Sequence, residues 1–137
     1  MPPMTTRTIF LSKLIGLYCL ILGVAYSVQK DAVLTVGAAL LRDAPLTLVF
    51  GVFLLILGLA MIIGHNIWHG GPAPVIVTLM GWIAALKGAA FLVLSPPVST
   101  DMMTATHFEQ LYYVYMGIAI AIGVYLTYKG FTTKSSA

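Results

Sequence analysis

Charge is what this sequence has least of. Asp, Glu, Lys and Arg make up 8% of its 137 residues, against roughly 25% in an ordinary soluble domain. So few charges could not cover a surface in water. With 60% hydrophobic residues and a mean hydropathy of +1.00, the chain must take lipid as its main solvent. Its length allows four crossings with short connections. Cysteine is nearly absent as well: Cys19 stands alone in an apolar run, which excludes an intrachain disulfide. Seven Lys and Arg outnumber four acids but form no cluster. That surplus suits membrane topology and anionic headgroups, and it excludes nucleic acid as a partner. A phosphate-binding loop, a dinucleotide fingerprint, a nucleophile elbow and a zinc-protease helix are all missing. The sequence therefore points away from an enzyme, and to no cofactor and no metal.

What is present is organised around residues 72–97, PAPVIVTLMGWIAALKGAAFLVLSPP. The run is apolar for about 21 residues between proline pairs, which matches one helical crossing of a ~30 Å hydrocarbon layer. Lys87 interrupts it. At about 1.5 Å per residue, this lysine lies roughly 13 Å from Pro96 and 20 Å from Pro74, within the membrane and nearer one face. A lysine at mid-span costs about 2.5–3.5 kcal/mol on insertion scales, so something should offset it.

The remaining spans follow from apolar runs. Residues 9–28 form the first. Ala25-Tyr26-Ser27 offers a small-x-small cleavage site of the signal-peptide kind, but the repeat described below favours a retained helix. Lys30, Asp31, Arg42 and Asp43 bracket residues 32–41, worth about 15 Å of helix and too short to cross. Asp31, Thr35 and Arg42 fall on one side at helical spacing, and Val33, Val36 and Leu40 on another. This pattern predicts a short amphipathic helix in the interface, with an extension of a neighbouring span as the alternative. Asp43 can cap the second span, 46–65, with Pro45 in its first turn. Pro96-Pro97 stops the third, 74–94, and a polar connection follows. Thr106-His107-Phe108-Glu109 fits a capping box for a fourth span over 107–129. Tyr112, Tyr113 and Tyr115 near its start and Tyr125 and Tyr128 near its end read as aromatic belts.

The expected architecture is all-α. It is a single integral membrane domain over residues 1–137: a four-transmembrane-helix bundle with a short interfacial amphipathic helix between the first and second spans. Arg7, Lys13, Lys129 and Lys134 lie on the side of both termini, against Lys30 and Arg42 opposite. That excess puts both termini in the cytoplasm. A bacterial inner membrane is expected, because no arginine- and serine-rich leader precedes the first span.

Glycines come in pairs, one pair per span: Gly16 and Gly23, Gly51 and Gly58, Gly81 and Gly88, Gly117 and Gly123. Small residues every two turns let helix backbones approach closely. A shift of 65 residues lays Gly16 on Gly81, Gly23 on Gly88 and Gly58 on Gly123, while Gly51 misses Gly117 by one. Two parallel halves, 1–65 and 66–137, would give a pseudo-two-fold axis along the membrane normal.

Two pairs of side chains could carry chemistry. Lys87 and Glu109 stand at similar distances either side of the turn between the third and fourth spans. An antiparallel hairpin would bring them to comparable depth as a candidate intramembrane ion pair, either a protonatable relay or a hairpin fastener. His65 and His69, four apart, would share one face of a continuing helix and could hold haem or a metal. No other ligand type lies nearby, and Gly64, Gly70 and Gly71 interrupt helix continuity. The leading expectation is a small polytopic protein acting through helix–helix contacts, as an accessory or scaffold component or a homo-oligomer. Its partners would be membrane lipids and a second copy or a larger membrane complex. The alternatives are a small channel or proton-coupled transporter using Lys87 and Glu109, and a haem, metal or quinone protein using His65 and His69.

Overall fold

The computed structural model describes residues 4–134, the side chains of Pro96 and Ser99 aside, and all its regular elements are helical. In chain order they are α1 (Thr6–Val28), α2 (Lys30–Arg42), α3 (Ala44–Gly64), α4 (Pro72–Val93), α5 (Pro96–Ala105) and α6 (Tyr112–Thr132). The four long helices, α1, α3, α4 and α6, are long and apolar enough to cross a membrane. They are the four expected spans with their ends shifted by a few residues.

Local chemistry accounts for most of those ends. Thr5 caps α1, its hydroxyl accepting from the backbone N–H of Thr8 at 3.2 Å. Asp43 caps α3 as its position before Pro45 predicts, accepting from Leu46 N at 3.0 Å. Gly70 and Gly71 have φ of 89° and 114°, which an L side chain rarely adopts, so this pair turns the chain into the prolines that open α4.

Two expectations are corrected. The polar connection after the third span is helical: Pro96 and Pro97 fall in the first turn of α5, where a missing N–H is harmless. The fourth span begins at Tyr112 rather than 107, and the Thr106–Glu109 capping box does not form. His107 has φ 49°, which breaks the helical path. The Thr106 hydroxyl donates back to Met103 O at 2.9 Å instead of capping forward. On α2, Leu41 is buried and Val36 exposed, while Val33, Leu34, Ala38 and Leu40 are half-buried.

The long helices pack as two antiparallel pairs, α3 with α4 and α1 with α6. Glycine sets both. A Cβ on Gly58 or Gly88 would collide with the backbone of Ala85 or Leu55 across the α3·α4 crossing. A Cβ on Gly16 would lie 2.6 Å from Thr127 N, and one on Gly123 2.8 Å from Leu20 N, across α1·α6. In lipid, where apolar burial drives little association, such close approach supplies the dispersion contacts that hold helices together. The pairs lean on each other through α1 and α4, around Ile15, Cys19, Ala73 and Val77, with Leu126 of α6 joining them. α2 and α5 pack together at one end of the bundle. The 65–71 linker and the start of α1 meet at the other.

Candidate functional site

At that second end a buried imidazole ties three segments together. α3 stops at Gly64 because His65 turns extended, at φ −155° and ψ 91°. This swings His65 inward, leaving it 2% exposed. Its Nε2 lies 2.9 Å from the Thr8 hydroxyl of α1, and its Nδ1 lies 3.3 Å from the Thr78 hydroxyl of α4. The protons can be placed by elimination. The Thr78 hydroxyl donates to Ile67 O at 2.9 Å and accepts from Ile67 N at 3.0 Å, so toward the ring it can only accept. Nδ1 therefore carries the proton, Nε2 accepts from Thr8, and Thr8 accepts from Thr5 at 2.8 Å. Hydroxyls and imidazole form one directed chain from Thr5 to the Ile67 carbonyl. Burial pushes the His65 pKa below its usual value.

His69 does not join it. The helix has ended, so the four-residue spacing no longer places two rings on one face, and His69 is exposed on the linker. Among the described residues no group of three His, Cys, Asp or Glu could hold a metal ion. Both ring nitrogens of His65 are already engaged with threonines.

Lys87 lies at the opposite end of α4, on the wall of a cleft of about 280 Å³. Leu41, Ala90, Phe91, Leu94, Met102, Met103, Thr106 and Phe108 complete the lining, so Lys87 is its charged member. Glu109 lines a neighbouring cleft with Arg42 and His107. The two clefts share Leu41, Met103 and Phe108 as walls. No ion pair joins Lys87 to Glu109 among the described residues. A direct α4–α6 hairpin would have paired them, but α5 stands between the two helices and α6 packs on α1 instead.

Seven of the eight glycines picked out by spacing sit at helix crossings, and Gly117 meets nothing within 4 Å. Gly130, unpaired in the sequence pattern, takes a place against Lys13. Lys13 lies over the Phe131 ring at 4.8 Å, and Lys30 over Tyr113 and Tyr112 at 5.2 and 5.7 Å. Tyr112 is an interior strut rather than a belt residue: it is fully buried, and its hydroxyl donates to Tyr26 O at 2.7 Å. That carbonyl belongs to the last turn of α1, where intrahelical partners run out. Tyr112→Phe should therefore lower unfolding stability in detergent by about 1–2 kcal/mol, read by thermal denaturation.

The chain matches no protein-family model, no curated protein and no solved structure.

Proposed function

We propose that this chain is a non-catalytic integral membrane protein whose work is done by helix contacts, as a structural or accessory part of an assembly or as a homo-oligomer. The observation that carries this reading is how the groups capable of chemistry are used. His65, Thr8 and Thr78 join α1, the linker and α4; Tyr112 joins α6 to α1; Lys13 and Lys30 lie on aromatic rings of α6. Each is spent on fastening one helix to another, which makes a rigid unit to present within a bilayer. Gly117, of the eight glycines selected by spacing, is left uncovered for a neighbour.

The contact register supports a two-copy origin for this unit. Each half runs long helix, short helix, long helix. Gly58 meets Ala85, and the 65-residue shift carries that pair to Gly123 and Leu20, which also meet. Gly88 against Leu55 becomes Gly23 against Ile120, and Gly81 against Met61 becomes Gly16 against residues 126–127. A pseudo-two-fold exchanging the halves would turn the α3·α4 pair into α6·α1. In this arrangement α2 and α5 lie at the interface on the outer face. The cations Arg7, Lys13, Lys129 and Lys134 hold both termini in the cytoplasm of a bacterial inner-membrane protein.

The particle mass in mild detergent tests the reading, by light scattering coupled to size exclusion. An assembly larger than one chain supports it, and a solitary monomer overturns it. A second reading, a channel or proton-coupled carrier using Lys87 and Glu109, is favoured by the unpaired ammonium in its cleft. Proteoliposome flux abolished by Lys87→Ala, with the fold intact, would carry that alternative instead.

A further inference from the structure

Two lysines lie at comparable depth in this bundle, and only one is provided for. Lys13, seven residues from the start of α1, sits over the Phe131 ring. Lys87, six residues from the end of α4 and so about 9 Å along its axis, has no partner among the described residues and faces an apolar cleft. The register that lays Gly88 on Gly23 lays Lys87 on Leu22. An apolar side chain thus serves at the equivalent place in the first half. A lysine where leucine suffices, beside a hollow walled by Phe91, Met102, Met103 and Phe108, suits an anion with an apolar tail.

We propose that the Lys87 cleft binds one anionic phospholipid, with an acyl chain along the apolar wall and the phosphate on the lysine ammonium. The volume, about 280 Å³, is at the small end of ligand sites and admits a stretch of one chain while the rest of the lipid stays among its neighbours. The flexible lysine stem carries its charge toward the level of the lipid phosphates. A bilayer phospholipid reaches this place without leaving the lipid phase, which a water-soluble anion cannot do. Arg42 in the adjoining cleft is accompanied there by Glu109, so Lys87 supplies the uncompensated positive charge.

Native mass spectrometry of the purified full chain tests the site, after equilibration with equal phosphatidylglycerol and phosphatidylcholine and, separately, with oleate. The wild type should retain phosphatidylglycerol about fivefold over phosphatidylcholine, the preference one lysine near a bilayer surface supports. Lys87→Leu should abolish that preference while thermal denaturation shows the fold kept, and Lys87→Arg should keep it. Ala90→Trp, which fills the cleft with the charge in place, should abolish it too. Lys30→Gln should leave it unchanged. Equal retention of both phospholipids by the wild type, or undiminished preference in Lys87→Leu or Ala90→Trp, overturns the proposal. Retention of oleate without phosphatidylglycerol overturns it in favour of a free fatty acid. A monomeric particle would defeat the assembly reading above and leave this site standing.

Discussion

Gly58→Ala is expected to destabilise the bundle even though alanine is the better helix former. The substitution gains about 1 kcal/mol of helix propensity. Against that, its methyl group meets the Ala85 backbone of α4, which cannot rotate away as a side chain would. Overpacking of this kind costs about 1–3 kcal/mol, occasionally more, and with backbone as the obstacle the upper part of that range applies, so the net loss should approach about 2 kcal/mol. Gly58→Ile should separate α3 from α4. Gly123→Ala, across α6 and α1, should lose a similar amount, because Leu20 N stands 2.8 Å from the added atom. Gly117→Ala reverses the sign for the fold of the single chain: with nothing of its own chain within 4 Å, the propensity gain remains. Unfolding in dodecyl maltoside by added SDS, followed by tryptophan fluorescence, orders the three alanine variants. Equal responses at Gly58 and Gly117 would contradict the glycine crossings.

The second large effect is expected at His65. His65→Ala removes a buried ring and both of its hydrogen bonds, leaving a void between α1 and α4, at a cost of about 3 kcal/mol. Thr8 and Thr78 retain Thr5 and Ile67 as partners, which keeps the loss from being greater. The same residue makes stability depend on pH. Burial lowers the folded pKa, while the unfolded chain protonates its imidazole near the usual ~6.5. Below that value the unfolded state holds more protons, so stability is full above about pH 6.5 and declines as pH falls through it. Unfolding of the wild type should thus become easier on acidification to pH 5. His65→Gln, uncharged throughout, should lose that component. His69 and His107, both exposed, remain in each protein and cancel in the difference between them.

Continuous apolar runs made the four spans legible, because lipid rewards an unbroken stretch of about 20 residues whatever its neighbours do. Asp43 and Pro45 were legible for the same local reason: a cap depends on residues three apart. Glycine spacing foretold close crossings but not which helices cross, and pairing first with last is invisible to any reading of one segment at a time. The prolines at 96 and 97 carried two meanings, ending one helix and opening the next, and spacing shows only the former. His65 leaves the helix face for the interior because it is extended after Gly64, a local turn that spacing does not show. Its partners, Thr8 and Thr78, each stand in the opening turns of a span. Hydroxyls at such places were the clue available. Lys87 and Glu109 were matched in depth, yet depth says nothing of the helix that comes between.

Synthesis order gives the α1·α6 pairing a kinetic meaning. α3 and α4 are joined by a short linker and can zip as soon as the second of them enters the bilayer, since few residues separate their contacts. α1 leaves the ribosome before α3 and α4, but its glycine notches wait for α6. During that interval lipid tails must occupy Gly16 and Gly23, and a competing helix from another chain could settle there. Nascent protein halted before α6 should therefore be the form most prone to mispairing, and release of α6 the step that ends the hazard.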